Sequence, residues 1–210
     1  MPTGNEDING AIASAQAYCW DETHGYRMGG NMNPDTDCSG LIWQSLHDNG
    51  FDVGSYRFDA NSMNGIMINA GFTRFTWDSS FVPKHGDILM YNEPDGQGSY
   101  NGHTFMYCEN ILAYTDPNAD SNATAVIAKA KVEASSSREQ TTNGDSKKNG
   151  TGAYWEVWCH AYNGLTYGSH TWYVYRWGAG PTPPSPIDDA AAVAIITLLF
   201  GKQGRHRPRR

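Results

Sequence analysis

Up to Trp177 of this 210-residue chain, helical periodicity is confined to the first 70 residues, and the apolar segments beyond them are short runs of β-branched and aromatic residues. Residues 6–20, EDINGAIASAQAYCW, read as a first helix. A second follows Cys38, where Leu41, Ile42, Ser45 and Leu46 recur at helical spacing until Asn49-Gly50 supplies a C-cap. The third covers Ala60 to Ala70, with Met63, Ile66, Met67 and Ala70 on one face and Gly71 as its stop. Then the pattern changes to TRFTW, GDILMY, HTFMYCE, AVIAKAKVEAS, YWEVWCHAY and TWYVYRW, separated by Gly, Asn, Asp and Pro. Helices first and strands second predict an α+β fold, with N-terminal helices packed on a central antiparallel sheet. Two polar loops, 115–123 and 135–153, interrupt the strands, and the second has almost nothing apolar to anchor it, so mobility is expected there.

Composition narrows the function classes. With 39% hydrophobic and 18% charged residues the chain is ordinary for one globular domain, and its seven Trp and twelve Tyr suit a groove for peptide or saccharide. Residues 1–180 carry 10 Lys and Arg against 20 Asp and Glu, which argues against nucleic acid, since phosphate contacts need clustered cations. The opening MPTGNEDING has neither a basic stretch nor an apolar core, and no run reaches the roughly 18 apolar residues of a membrane helix, so a soluble, cytoplasmically made protein is expected. Four irregularly spaced cysteines match neither a CxxC metal site nor a disulfide framework, so no metal and no other cofactor are expected.

Cys38 stands where a turn, NPDTD, meets the second helix. Unpaired N–H groups and the positive dipole end there favour an anion, so the position suits a thiolate nucleophile. It equally suits a small apolar core residue, and partners must decide between the two. Of seven histidines, His103 is placed at the start of a strand just after a Gly-containing loop, as a base would be that points from a sheet toward a helix N-terminus. A helix-borne Cys, then a strand-borne His, then a strand-borne acceptor is the order of a papain-like fold.

Four blocks extend this order into a resemblance: HGYRMGGNMNPDTDCSGLIWQSL, KHGDILMY, NGHTFMY, and the closing strands KVEASSS, WEVWCHAYN and TWYVYRW. Over residues 7–177 the chain resembles the NlpC-type cell-wall peptidases, in particular their phage and prophage endolysin branch. The resemblance implies Cys38 as nucleophile and His103 as base and later proton donor, with Tyr26, Asp37 and Ser39 lining a peptide groove. Asp37 would pair with the free amine of a peptide stem, cap the helix, or do both. Helix-start N–H groups, including that of Cys38, would hold the oxyanion. The third member is displaced by an inserted loop; KVEASSS favours Glu133, and His160 is the competitor. His85 and Asp87 read as structural.

The implied substrate is bacterial peptidoglycan, cut between γ-D-glutamyl and a diamino acid; an amidase acting between muramic acid and L-alanine is the near alternative. A wall-binding or virion structural module without turnover, and a zinc site of Cys159, His160, His85 and Asp87, are the readings from other classes. The catalytic domain is expected to span 1–177, with a Pro-rich linker at 178–186. Residues 187–210 read as a short apolar helix with a basic end, faintly similar to the start of a phage wall-binding repeat, which would contact anionic wall polymer or membrane lipid. A lytic enzyme of this kind would leave the cytoplasm through a holin-like, membrane-permeabilising partner, or travel in a virion.

Overall fold

A computed structural model describes residues 4–20, 26–30, 35–94, 100–112, 126–135, 156–162, 164–165 and 170–178. The two polar loops, except Ser135, which ends a strand, the linker beyond Gly178 and the C-terminal segment lie outside the described residues. Those described form helices α1 (Ile8–Trp20), α2 (Cys38–His47) and α3 (Ala60–Asn69), then strands β1 (Phe72–Thr76), β2 (Ile88–Pro94), β3 (Tyr100–Leu112), β4 (Val126–Ser135), β5 (Glu156–Ala161) and β6 (Tyr173–Trp177). The strands make one antiparallel sheet in the order β1-β6-β2-β3-β4-β5, so the α+β expectation holds.

Each helix buries the stripe its sequence marks. In α1 this is Ile8, Ala11, Ile12 and Ala15; in α2, Leu41, Ile42, Ser45 and Leu46; in α3, Met63 and Met67. Gly50, at φ 85°, lets the chain leave α2 with Phe51 N–H donating to Leu46 O at 3.2 Å. An Asp59/Ser62 capping box starts α3. Among the described residues no helix is long and apolar enough to cross a membrane.

The helices cover one face of the sheet, against Ile88, Met90, Met106, Cys108, Val132 and Tyr175. Alternate residues Leu89, Phe105, Tyr107 and Val174 turn to the other face, where Trp172, Trp77 and Phe81 cover them. Burial on both faces explains why DILMY and TFMYC read as unbroken apolar runs rather than as clean alternation. Phe51, Phe72 and Trp177, with ring centroids 5.0–5.4 Å apart, pin the β1–β6 edge to the loop leaving α2.

His85 and Asp87 support the sheet. Asp87 receives Arg176 Nε at 2.7 Å, Arg176 Nη2 at 2.6 Å and the Lys84 amide at 2.8 Å, which ties the turn before β2 to β6. His85 Nδ1 accepts the Glu109 amide at 2.9 Å, and its burial lowers the imidazole's pKa, consistent with the neutral ring such a bond requires.

Candidate active site

The site begins at the N-terminus of α2. Asp37 is the N-cap: its Oδ1 accepts the Gly40 amide at 2.9 Å and the Ser39 hydroxyl at 3.0 Å. Its Oδ2 accepts the Gly29 amide at 2.8 Å, drawing the 26–30 segment onto the helix start. Tyr26 is fixed alongside by a parallel bridge to Thr36, with Arg27 N–H donating to Thr36 O at 2.8 Å. These contacts leave Cys38 as the first residue of the helix, nearly buried, at the floor of a groove of about 480 Å³.

Across the groove stands β3. Sequence placed His103 at the start of a strand, but the strand begins three residues earlier, because Asn101 and Gly102 pair with Glu93 and Asn92 of β2. Gly102 is needed for closeness rather than for a loop: a Cβ there would lie 2.9 Å from the Ala60 Cβ and 3.1 Å from Asn92 Oδ1. The groove wall beside His103 is thus the start of α3 laid directly on β3.

His103 Nε2 lies 2.7 Å from Glu133 Oε2, on the neighbouring strand β4, and the imidazole also hydrogen-bonds Cys38. With Nε2 engaged by the carboxylate, Nδ1 is the nitrogen left for the sulfur. Burial opposes charge on this ring, yet the hydrogen bonds and charges of Cys38 and Glu133 outweigh it and raise its pKa from 6.5 to about 9. Glu133 is 1% exposed and is held from its other side by Lys131 Nζ, 3.0 Å from Oε1 and 3.1 Å from Oε2. Sulfur, imidazole, carboxylate and ammonium therefore form one chain of contacts from the groove into the sheet.

A family model described as the NlpC/P60 family matches residues 23–144, more than half of the chain. The chain belongs to the NlpC/P60 family. Its members are cysteine peptidases acting on peptidoglycan, and the three helices and antiparallel sheet agree with the papain-like architecture of that family. No curated protein matches the chain.

Within this NlpC/P60 domain the structure brings Tyr26, Asp37, Cys38, Ser39 and His103 to one groove, with Glu133 behind the histidine. His160 is on β5 in register with Lys131, one strand beyond Glu133; its side chain and that of Cys159 lie outside the described ones. The remaining residues of the zinc reading are engaged elsewhere, His85 with Glu109 and Asp87 with Arg176.

Two residues of the site went unread in the sequence. Lys131 sits two positions before Glu133 on the same strand, so period-two alternation in KVE already puts both side chains on one face. Arg57 comes from the loop before α3; its Nη2 pairs with Asp37 Oδ1 and donates to Ser39 Oγ at 3.0 Å. Nothing local signals Arg57, because it lies 20 residues from Asp37.

Proposed function

We propose that the chain hydrolyses an amide bond in the peptidoglycan stem peptide by a thiol mechanism, and that the bond joins γ-D-glutamyl to a diamino acid. The observation that supports this reading is the His103 ring, hydrogen-bonded to Cys38 on one side and 2.7 Å from Glu133 on the other, at the floor of an open groove. With His103 already carrying the proton at neutral pH, the Cys38 sulfur attacks the carbonyl carbon as the thiolate. The oxyanion forms beside the start of α2, where the Cys38 N–H has no intrahelical acceptor. Collapse breaks the C–N bond, and His103 protonates the departing amine. The imidazole then takes a proton from water, whose oxygen attacks the thioester; the acid leaves and the thiolate is restored. Glu133 stabilises the imidazolium and holds the ring's orientation throughout.

The bond assignment is the one commonest in the family that the chain resembles; the motifs around Cys38 and His103 do not separate it from the amide between muramic acid and L-alanine. Mass spectrometry of soluble fragments released from purified peptidoglycan tests both parts. Truncated stem peptides, absent with Cys38→Ala, are expected. Intact stem peptides would instead identify an amidase, and equal release by Cys38→Ala would remove the thiol mechanism.

A further inference from the structure

Tyr91 of β2 is the direct partner of His103 across the β2–β3 ladder, so the two side chains leave the same face of the sheet side by side, and both border the groove. The Tyr91 ring is packed against the protein on two of its sides. The His170 ring lies parallel to it, with centroids 4.2 Å apart and 4° between the planes, and Trp172 meets it edge-on at 4.8 Å and 67°. His170 is itself anchored by Glu93, two residues beyond Tyr91 and on the same face of the strand. Glu93 Oε2 is 2.7 Å from His170 Nδ1, and Oε1 accepts the Thr171 amide at 2.7 Å. A carboxylate near the end of β2 thus fastens residues 170–172 over Tyr91 and fixes the ring as a rigid apolar wall next to the catalytic imidazole.

The chemistry decides which part of a substrate meets that wall. Sulfur attacks from the start of α2, beside Tyr26 and Ser39, while the nitrogen of the scissile amide must come within hydrogen-bond reach of His103. The residue that carries the departing amine therefore lies against the surroundings of His103 on β2 and β3. Among these, Asn92 commits its amide to Asn61 Oδ1 at 2.8 Å, Gly102 has no side chain, and Tyr100 is more than half exposed at the start of its strand. The sheltered apolar surface there is that of Tyr91. Resting on the peptidase reading above, we infer that Tyr91 is the specificity-determining residue for the amine side of the scissile bond, its ring receiving the aliphatic chain of the diamino acid, with His170 and Glu93 as the positioning residues that hold it.

The test uses the full chain and two soluble N-acetylmuramyl-L-alanyl-γ-D-glutamyl peptides, one continuing with L-lysine and one with glycine; intact peptidoglycan is run beside them. Lysine brings methylenes to the wall and glycine brings none, and a single methylene in an apolar subsite is worth about 10–200-fold in discrimination. Wild type is expected to favour the lysyl peptide in kcat/KM by about ten-fold or more. Tyr91→Ala is expected to bring the two peptides within about three-fold of each other, and Tyr91→Phe to keep the wild-type ratio. His170→Ala leaves the ring in place without its backing, so the ratio is expected to fall in the same direction; this variant serves where Tyr91→Ala does not fold. Equal loss on both peptides in Tyr91→Ala, a His170→Ala ratio equal to wild type, or no preference in wild type would each overturn the inference, while Cys38-dependent truncation of wall stems leaves the peptidase reading standing. Release of intact stem peptides would instead put the departing amine on L-alanine and overturn the bond assignment and the inference together.

Discussion

Replacing Glu133 by Gln removes one charge from the site while nearly preserving its shape, so it isolates what the carboxylate does for His103. The contact is 2.7 Å between Nε2 and Oε2, with the carboxylate 1% exposed, which is the geometry of a charge-assisted bond. Such a bond contributes about 1.5–3 kcal/mol, and at 1.36 kcal/mol per unit its loss lowers the imidazole's pKa by about one to two units. The amide oxygen of Gln still accepts from Nε2, which places the effect toward the lower end. In wild type the imidazolium persists up to about pH 9, so the proton donor for the leaving amine is present throughout the neutral range and is lost only as pH rises through that value. The basic limb of the pH–rate profile is therefore expected near pH 9 in wild type and about one to two units lower in Glu133→Gln.

Stability follows with the same sign. A histidine whose folded value lies above its unfolded one stabilises the fold fully below 6.5, and that contribution drains away as pH rises toward about 9. Glu133→Gln narrows this window, and it also strands Lys131, whose side chain is 10% exposed, at a cost of about 3–5 kcal/mol. Adding Lys131→Met to Glu133→Gln is expected to recover most of that stability while the basic limb stays low. NMR titration of the His103 ring in wild type and Glu133→Gln reads the imidazole directly, and chemical denaturation reads the stability. An unmoved or raised basic limb in Glu133→Gln would refute the role assigned to the carboxylate.

Three further outcomes are expected. Gly102→Ala places a Cβ 2.9 Å from that of Ala60, so α3 must move off β3; the overpacking costs about 1–3 kcal/mol by denaturant titration and lowers kcat through the neighbouring His103. Asp87→Ala leaves Arg176 unpaired between Phe75 and Phe81, destabilising the fold by about 3–5 kcal/mol, while kcat of the protein that remains folded stays within a few-fold of wild type. Asp37→Ala removes the cap of α2 and the partner of Arg57 together, so the loss of stability is expected to exceed the roughly 1 kcal/mol of an exposed cap.

Much of this architecture was legible before any coordinates because the signals are local. The cap Asp37, the stop at Gly50, the Met63/Met67 stripe and the six apolar runs each mark an element within a few residues, and the strands form where the runs lie. His103 was legible from its place at a strand start, and Glu133 only through the resemblance of KVEASSS, with His160 left as its competitor, because the inserted loop removes the spacing signal. What stayed hidden is what depends on pairing between distant segments. The register Met106↔Val132 decides that β4 runs beside β3 and carries Glu133 to the imidazole, and no local pattern specifies a register across an inserted loop. Gly102 read as loop because glycine most often marks a turn, whereas here it admits a helix against a strand.

The two cations missed in the sequence share a cause and a consequence. Asp37 and Glu133 were read without a cation beside them, one as a helix cap or partner of a substrate amine and one as acceptor for an imidazolium, because a sequence shows an acid without its counter-ion. Burial makes a counter-ion necessary: a carboxylate 1% exposed, like Glu133, is too costly to leave with a partner that is charged only part of the time. Lys131 meets that need from within the sheet, 3.0 Å from Oε1, so the ring is not the carboxylate's sole partner. Arg57 likewise supplies the cation beside Asp37. On the proposed mechanism His103, whose ring lines the groove beside Cys38, is the group that moves the proton between the sulfur and the departing amine.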